Sequence, residues 1–338
     1  TFKKYFSRFK FGTKIHANLI QNNSIQGKEK GMLYSGGLDS LTLYLKYKHE
    51  KPCLFSVWGA DIPLNDVKYW DKVQKELSDF ATNENIRMVI IKTNARQIIN
   101  EYNLGIDYLP YNENWWETVS HGLILTGITA PVLAGNIKTL YIASSYSKEF
   151  EGPNGSQLLK DISLKFGDID VLLDMSEFTR TEKIKLYLKS NVSYCHYLRV
   201  CPSPKLKGKK FNCGSCEKCV RTIVALASQN INPNLCGFTS DKNTFKFVKS
   251  YLSNNLLLLN DHQLLFWKDI QNNLIYSNIP PDLMEFFYWF KQYDLAFNDT
   301  RQEKIILIKK FYYRTKYFGL KNSVGRFLEM MRYNILHN

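Results

Sequence analysis

Two groups of residues in this chain have the types and spacing to do chemistry. The first is Ser35-Gly36-Gly37-Leu38-Asp39-Ser40. Its glycines let the backbone close around an anion, its two hydroxyls add donors, and its carboxylate can orient the loop or help hold a divalent cation. The stretch follows a short apolar run, Gly31-Met32-Leu33-Tyr34, and precedes a helical pattern. A strand feeding such a turn into a helix aims the first helical N–H groups at a bound anion. The expected ligand is therefore phosphate or pyrophosphate. The stretch lacks the Gly-Lys-Ser/Thr ending of a Walker A loop and is not G-x-G-x-x-G.

The second group is Cys201, Cys213, Cys216 and Cys219, spaced C-x11-C-x2-C-x2-C. Four thiolates so arranged suit tetrahedral zinc, and closing that loop on a metal stabilises the fold. Cys195 and His196 are alternative ligands nearby, whereas Cys53 and Cys236 are expected in the core. The chain opens without the apolar core of a secretory signal, so a disulfide framework is not expected and a cytoplasmic location is.

The elements that must position these groups alternate. Short strands are expected at Met32–Tyr34, 52–57, 87–91, 139–144 and 171–173. Helices are expected at 38–49, 65–83, 115–133 and 180–189. This order predicts an α/β fold with a parallel five-stranded, doubly wound sheet and ligands at the carboxyl ends of the strands. Every polar motif falls at such an end. Trp58-Gly59-Ala60-Asp61 ends the second strand, where Trp58 could stack on a base and Asp61 could bind a hydroxyl or magnesium; both residues equally suit a structural role. Ser144-Ser145 closes the fourth strand, and His121 lies on the helix before it, where a core role is the commoner one. Thr179-Arg180-Thr181-Glu182-Lys183 opens a late helix. The helix dipole disfavours cations there unless an anion is near, so Arg180 and Lys183 are either phosphate ligands or surface charge.

A chain of 338 residues with 44% hydrophobic and 22% charged residues builds a soluble core and leaves room for more than one domain. No apolar run is long enough to span a membrane. Net charge is +14, but residues 1–30 and 301–338 together carry +13 of it. A nearly neutral middle argues against a long nucleic-acid groove there, and the basic ends suit either solvent or an anionic partner. Residues 1–30 form a preamble, residues 31–238 the α/β domain, and residues 239–338 a mostly helical region in which one residue in five is aromatic.

Ser35–Ser40, in this strand–loop–helix setting, resembles the SGGxDS loop of the PP-loop ATP pyrophosphatase superfamily, the adenine nucleotide alpha hydrolase-like (HUP-like) fold. The resemblance covers roughly residues 30–235. It implies cleavage of ATP between its alpha and beta phosphates, adenylation of an acyl or carbonyl oxygen, and displacement of AMP by a nitrogen or sulfur nucleophile. On that basis Ser35, Gly36, Gly37, Leu38 and Ser40 hold the pyrophosphate end of ATP. Asp39 orients the loop or holds Mg2+, Trp58, Asp61 and Ser144 line the nucleotide, and Arg180 and Lys183 neutralise the phosphates. The stretch 212–222 is similar to the zinc element of the 7-cyano-7-deazaguanine synthase group, here within 195–221. That similarity implies a structural zinc. The longer first spacing, the preamble and the C-terminal extension depart from that group, so its substrate is not carried over. The reading that results is an ATP-dependent ligase joining ammonia or an amine to a small carboxylate or carbonyl, in a pathway for a modified sugar or small metabolite. The alternatives are a tRNA-thiolating enzyme and a non-catalytic nucleotide-binding module. The C-terminal region either caps the site or mediates a homodimer.

Overall fold

The structure, a computed structural model, describes residues 14, 16–18 and 27–295, apart from 109–113, 134–135, 148–149, 151–153, 157–163, 202–210, 257–258 and 260. The aromatic triplet at 311–313 and nearly all of both basic ends lie outside the described residues.

Among the described residues six strands form one sheet, not five: β1 (Glu29–Leu33), β2 (Cys53–Trp58), β3 (Met88–Lys92), β4 (Ile137–Ala143), β5 (Leu164–Phe166) and β6 (Ile169–Asp174). Their order is β3-β2-β1-β4-β6-β5, and every pairing is parallel except β5 with β6. The unexpected β5 is three residues long, too short to show a period of two, and it pairs across a turn at Gly167. β1 begins at Glu29, two residues inside the expected preamble. From β1 the chain runs outward to β2 and β3, then returns to place β4 on the other side of β1. The crevice above β1 and β4 is thus the topological switch point, where open α/β sheets bind ligands.

The first helices follow their strands: α1 (Leu38–Tyr47), α2 (Val67–Asn83), the short α3 (Ala95–Ile98) and α4 (Glu101–Tyr108), and α5 (His121–Leu133), entered through a π-helical turn at Trp116–Ser120. Next comes α6 (Arg180–Lys183), which continues through irregular helix to Tyr197. It is followed by α7 (Glu217–Ser228), α8 (Lys242–Asn255), α9 (Asp261–Asn272) and α10 (Met284–Gln292). Among the described residues no helix is long and apolar enough to cross a membrane.

Alternate strand residues enter two apolar clusters, as the pleat requires. Met32, Leu54 and Tyr141 join the larger one, with Leu41 and Leu43 of α1 and Trp70, Val73 and Phe80 of α2. Leu33, Phe55, Leu140, Ile142 and Val171 join the smaller, with Leu133 of α5. The larger cluster also takes in Val220 and Ile223 of α7, Val248 of α8, Trp267 of α9 and Phe287 of α10. The C-terminal helices therefore share the core that supports the SGGLDS loop.

Gly59, just past β2, has φ +99°, and a Cβ built there would stand 1.9 Å from the Thr93 carbonyl oxygen. Left-handed backbone and a backbone clash both oppose a side chain, so Gly59→Ala is expected to cost about 3 kcal/mol. Gly36 (φ +74°) has its nearest contact at 3.5 Å, so Gly36→Ala should cost only about 1–2 kcal/mol. Urea denaturation of both variants checks the order; equal costs would refute it.

Candidate active site

The SGGLDS loop is shaped by its own hydroxyls. Ser35 Oγ accepts from Gly37 N at 3.2 Å and meets Ser40 Oγ at 3.3 Å; Ser40 Oγ donates to the Gly37 carbonyl at 3.1 Å. Gly37 is the N-cap of α1 and, being glycine, offers no side-chain cap. The first-turn N–H groups of this ten-residue helix therefore have no side-chain cap. Leu38 turns its side chain into the core, so it can contribute to a ligand only through its backbone.

Asp39 is the centre of the site. Arg180 Nη2 lies 2.8 Å from its Oδ2, Lys183 Nζ 3.3 Å from its Oδ1, and Ser145 Oγ donates to Oδ2 at 3.1 Å. Burial pushes the Asp39 pKa up, but Arg180 and Lys183 pull it down further, well below the usual carboxylate range. Lys183 is fully buried, and burial together with the nearby Arg180 charge lowers its pKa against the pull of Asp39. Its ammonium also donates to the Ser144 carbonyl.

These cations are placed by local sequence. Thr179 and Glu182 form a capping box: Thr179 Oγ1 accepts from Glu182 N at 3.3 Å, and Glu182 Oε2 accepts from Thr179 N at 2.8 Å. Asp269 of α9 then accepts from Thr181 N and Oγ1 at 3.0 and 2.8 Å. The helix start is satisfied by carboxylates, and the side chains of Arg180 and Lys183 are left to face Asp39. The Arg180 guanidinium also lies 4.0 Å from the centre of the Phe266 ring, which Arg221 of α7 approaches at 4.4 Å. Tyr146, after β4, stacks on Phe266 at 5.2 Å.

The other expected nucleotide residues are placed less simply. Trp58 stacks on Trp70 at 5.4 Å, carries Lys92 Nζ 4.6 Å from its ring centre, and donates to the Pro63 carbonyl. Its ring is committed to neighbours, which favours the structural role over base stacking. The Ser144 hydroxyl closes a turn onto the Tyr146 carbonyl at 2.7 Å, so the serine that faces Asp39 is Ser145. Asp61 reaches solvent at the edge of a crowded protein environment and accepts from Trp116 Nε1 at 3.1 Å. The protein packed around it raises the Asp61 pKa, but His121, Lys218, Trp116 and Arg199 lower it on balance. His121 packs edge-on to the Trp116 ring and meets Ser156 Oγ at 3.1 Å through Nδ1. Burial holds its pKa below the usual imidazole value, against the pull of Asp61.

Sequence reasoning missed Arg199, whose backbone N–H donates to the Gly36 carbonyl at 2.8 Å and whose Nη2 donates to the Ser35 carbonyl at 2.5 Å. It also missed Phe266 and Asp269. An arginine in a loop and an aspartate within a helix carry no pattern that would have singled them out.

The four expected cysteines converge. Their sulfurs all lie within 4.8 Å of one another, with Cys201–Cys216 and Cys213–Cys219 each 3.8 Å apart. Four thiolates about 2.3 Å from a zinc ion stand roughly 3.8 Å from each other, so the geometry fits the metal. Cys53, Cys195 and Cys236 are buried elsewhere.

A depression of about 420 Å³ lies at the opposite ends of the strands, around Lys28, Lys30, Lys51 and Arg87. Lys30 pairs with Glu50 at 2.5 Å and Arg87 with Glu29 at 2.7 Å, so two of its cations are already matched, and it is remote from the switch point.

Removing the Asp39 charge strands the buried Lys183 and the partly buried Arg180. Asp39→Asn is expected to destabilise the protein by about 3–5 kcal/mol at pH 7. A lowered carboxylate pKa contributes stability that is fully present above about pH 4 and is lost as pH falls towards the folded value. The gap between wild type and variant should therefore narrow below pH 4. Denaturant titrations at pH 7 and pH 3 check this, and a gap independent of pH would exclude an ionised Asp39. Compared with family models, with curated proteins and with solved structures, the chain matches none, so its functional assignment rests on this site.

Proposed function

We propose that the protein is an ATP-dependent ligase. It would adenylate a carboxylate or carbonyl oxygen of a small metabolite, release pyrophosphate, and let ammonia or an amine displace AMP. The observation that carries this reading is the pairing of the SGGLDS loop with Arg180 and Lys183 across Asp39, at the switch point of the sheet. Open helix-start N–H groups and two fixed cations suit an anion that gains charge as it departs. Pyrophosphate leaving the alpha phosphate is such an anion.

Roles follow from the contacts. Ser35, Gly36, Gly37 and Ser40, with the backbone of Leu38, would cradle the beta and gamma phosphates. Arg180 is one-fifth exposed and can swing part of its charge to a phosphate, whereas the fully buried Lys183 acts at longer range. Magnesium keeps several waters and takes one or two carboxylates beside phosphate oxygens. Asp61, exposed and bonded through one oxygen, suits that better than Asp39, which two cations already neutralise. Zinc at Cys201, Cys213, Cys216 and Cys219 would be structural, because all four positions around the ion are taken by thiolates. The buried state of Cys53, Cys195 and Cys236 weighs against a sulfur carrier, and so against tRNA thiolation. Pathways for modified sugars or small metabolites remain the setting proposed for the acceptor.

The test is mass spectrometry of the protein incubated with ATP, magnesium, ammonium and pooled carboxylate metabolites. AMP and pyrophosphate should appear together, dependent on one acid. Arg180→Ala should lower that rate about 100-fold or more while the fold persists. Release of ADP and phosphate instead, or no nucleotide turnover with any acid, would overturn the assignment.

A further inference from the structure

The four-cysteine cluster and the SGGLDS loop meet through one short segment. Arg199 holds the loop by two hydrogen bonds, from its backbone N–H to Gly36 and from its guanidinium to Ser35. The fit is close: where a Gly36 side chain would start, the Tyr197 carbonyl oxygen is 3.5 Å away and Arg199 Cβ 3.8 Å. Two residues beyond Arg199 is Cys201, one of the four converging thiols. Asn212 ties this segment to the other side of the cluster. Its Oδ1 accepts from Val200 N and Cys201 N at 2.9 and 3.4 Å, and its Nδ2 donates to the Leu198 and Cys236 carbonyls at 2.8 and 3.3 Å. Asn212 is buried and directly precedes Cys213.

We propose that the metal-bound cysteine cluster is a clasp for the nucleotide loop, with Arg199 as the positioning residue that transmits it. Without a metal, the four sulfurs hold one another only weakly, and the clasp between Cys201 and the cysteines at and before the start of α7 is reduced to the contacts of Asn212 and the packing around it. The segment 197–201 is then held less firmly, and its hydrogen bonds to the carbonyls of Ser35 and Gly36 weaken. The left-handed turn at Gly36, which leads into the start of α1, would relax. The proposal deepens the reading of Ser35–Ser40 as a pyrophosphate loop and rests on it for its functional consequence.

Hydrogen–deuterium exchange of the full-length chain tests it, comparing zinc-loaded protein, chelator-stripped protein and zinc-loaded Arg199→Ala, each with magnesium pyrophosphate binding measured by calorimetry. Stripping should speed exchange in the peptide covering 33–41 by about tenfold or more, from the weakening of two hydrogen bonds, and leave peptides within β2 and α2 unchanged. Pyrophosphate affinity should fall in step. Arg199→Ala, which keeps the backbone donor to Gly36 but loses the guanidinium bond to Ser35, should give part of the loop effect while keeping its full zinc content. Unchanged loop exchange after stripping overturns the clasp. If stripping unfolds the whole chain, Arg199→Ala decides: loop protection equal to wild type overturns the proposal. Faster loop exchange on stripping, in a protein whose zinc-loaded form binds no pyrophosphate, would support the clasp and refute the pyrophosphate reading.

Discussion

One largely buried carboxylate organises this molecule. Asp39 stands in the first turn of α1, yet its partners come from the end of β4 and from the start of α6. A charge out of water is tolerated only with close opposite charge and satisfied oxygens. Two cations and a serine hydroxyl meet that demand here. The requirement runs both ways, since Lys183 is fully buried and would itself be costly without Asp39 and the Ser144 carbonyl. The loop, the strand end and the late helix are therefore fixed relative to one another by electrostatics as well as by packing. They are the same three pieces that surround the switch-point crevice.

The C-terminal helices serve this arrangement instead of standing apart from it. Asp269 caps the helix that carries both cations, and Phe266 lies against the guanidinium groups of Arg180 and Arg221. Guanidinium over an aromatic face contributes about 0.5–2 kcal/mol, more when desolvated. Its larger effect is geometric, because it limits where Arg180 can point. Arg221 belongs to the helix that follows Cys216, so the cysteine cluster touches the site from two directions, through Arg221 and through Arg199.

Much of this was legible wherever the cause is local. The strand–loop–helix course through SGGLDS, the helix start after Thr179 and the cysteine spacing each act over a few residues, and each folds as its sequence implies. Strand alternation exposed the α/β order but not β5, whose three residues carry no readable period. Pairings between distant segments were not legible. Trp58 looks available at a strand end until Trp70, on the next helix, stacks upon it. The choice between Ser144 and Ser145 turns on the phase of one tight turn. Asp269 and Arg199 act on residues far away in the chain, so their neighbours in sequence say nothing of their roles.

The account stands or falls on where a nucleotide's phosphates sit. A crystal structure with magnesium and the uncleavable α,β-methylene analogue of ATP measures that directly. The account predicts beta and gamma phosphates against the N–H groups at the start of α1, within hydrogen-bond reach of Ser35, Ser40 and Arg180. Phosphates bound elsewhere, or an empty crevice at saturating analogue, would contradict it.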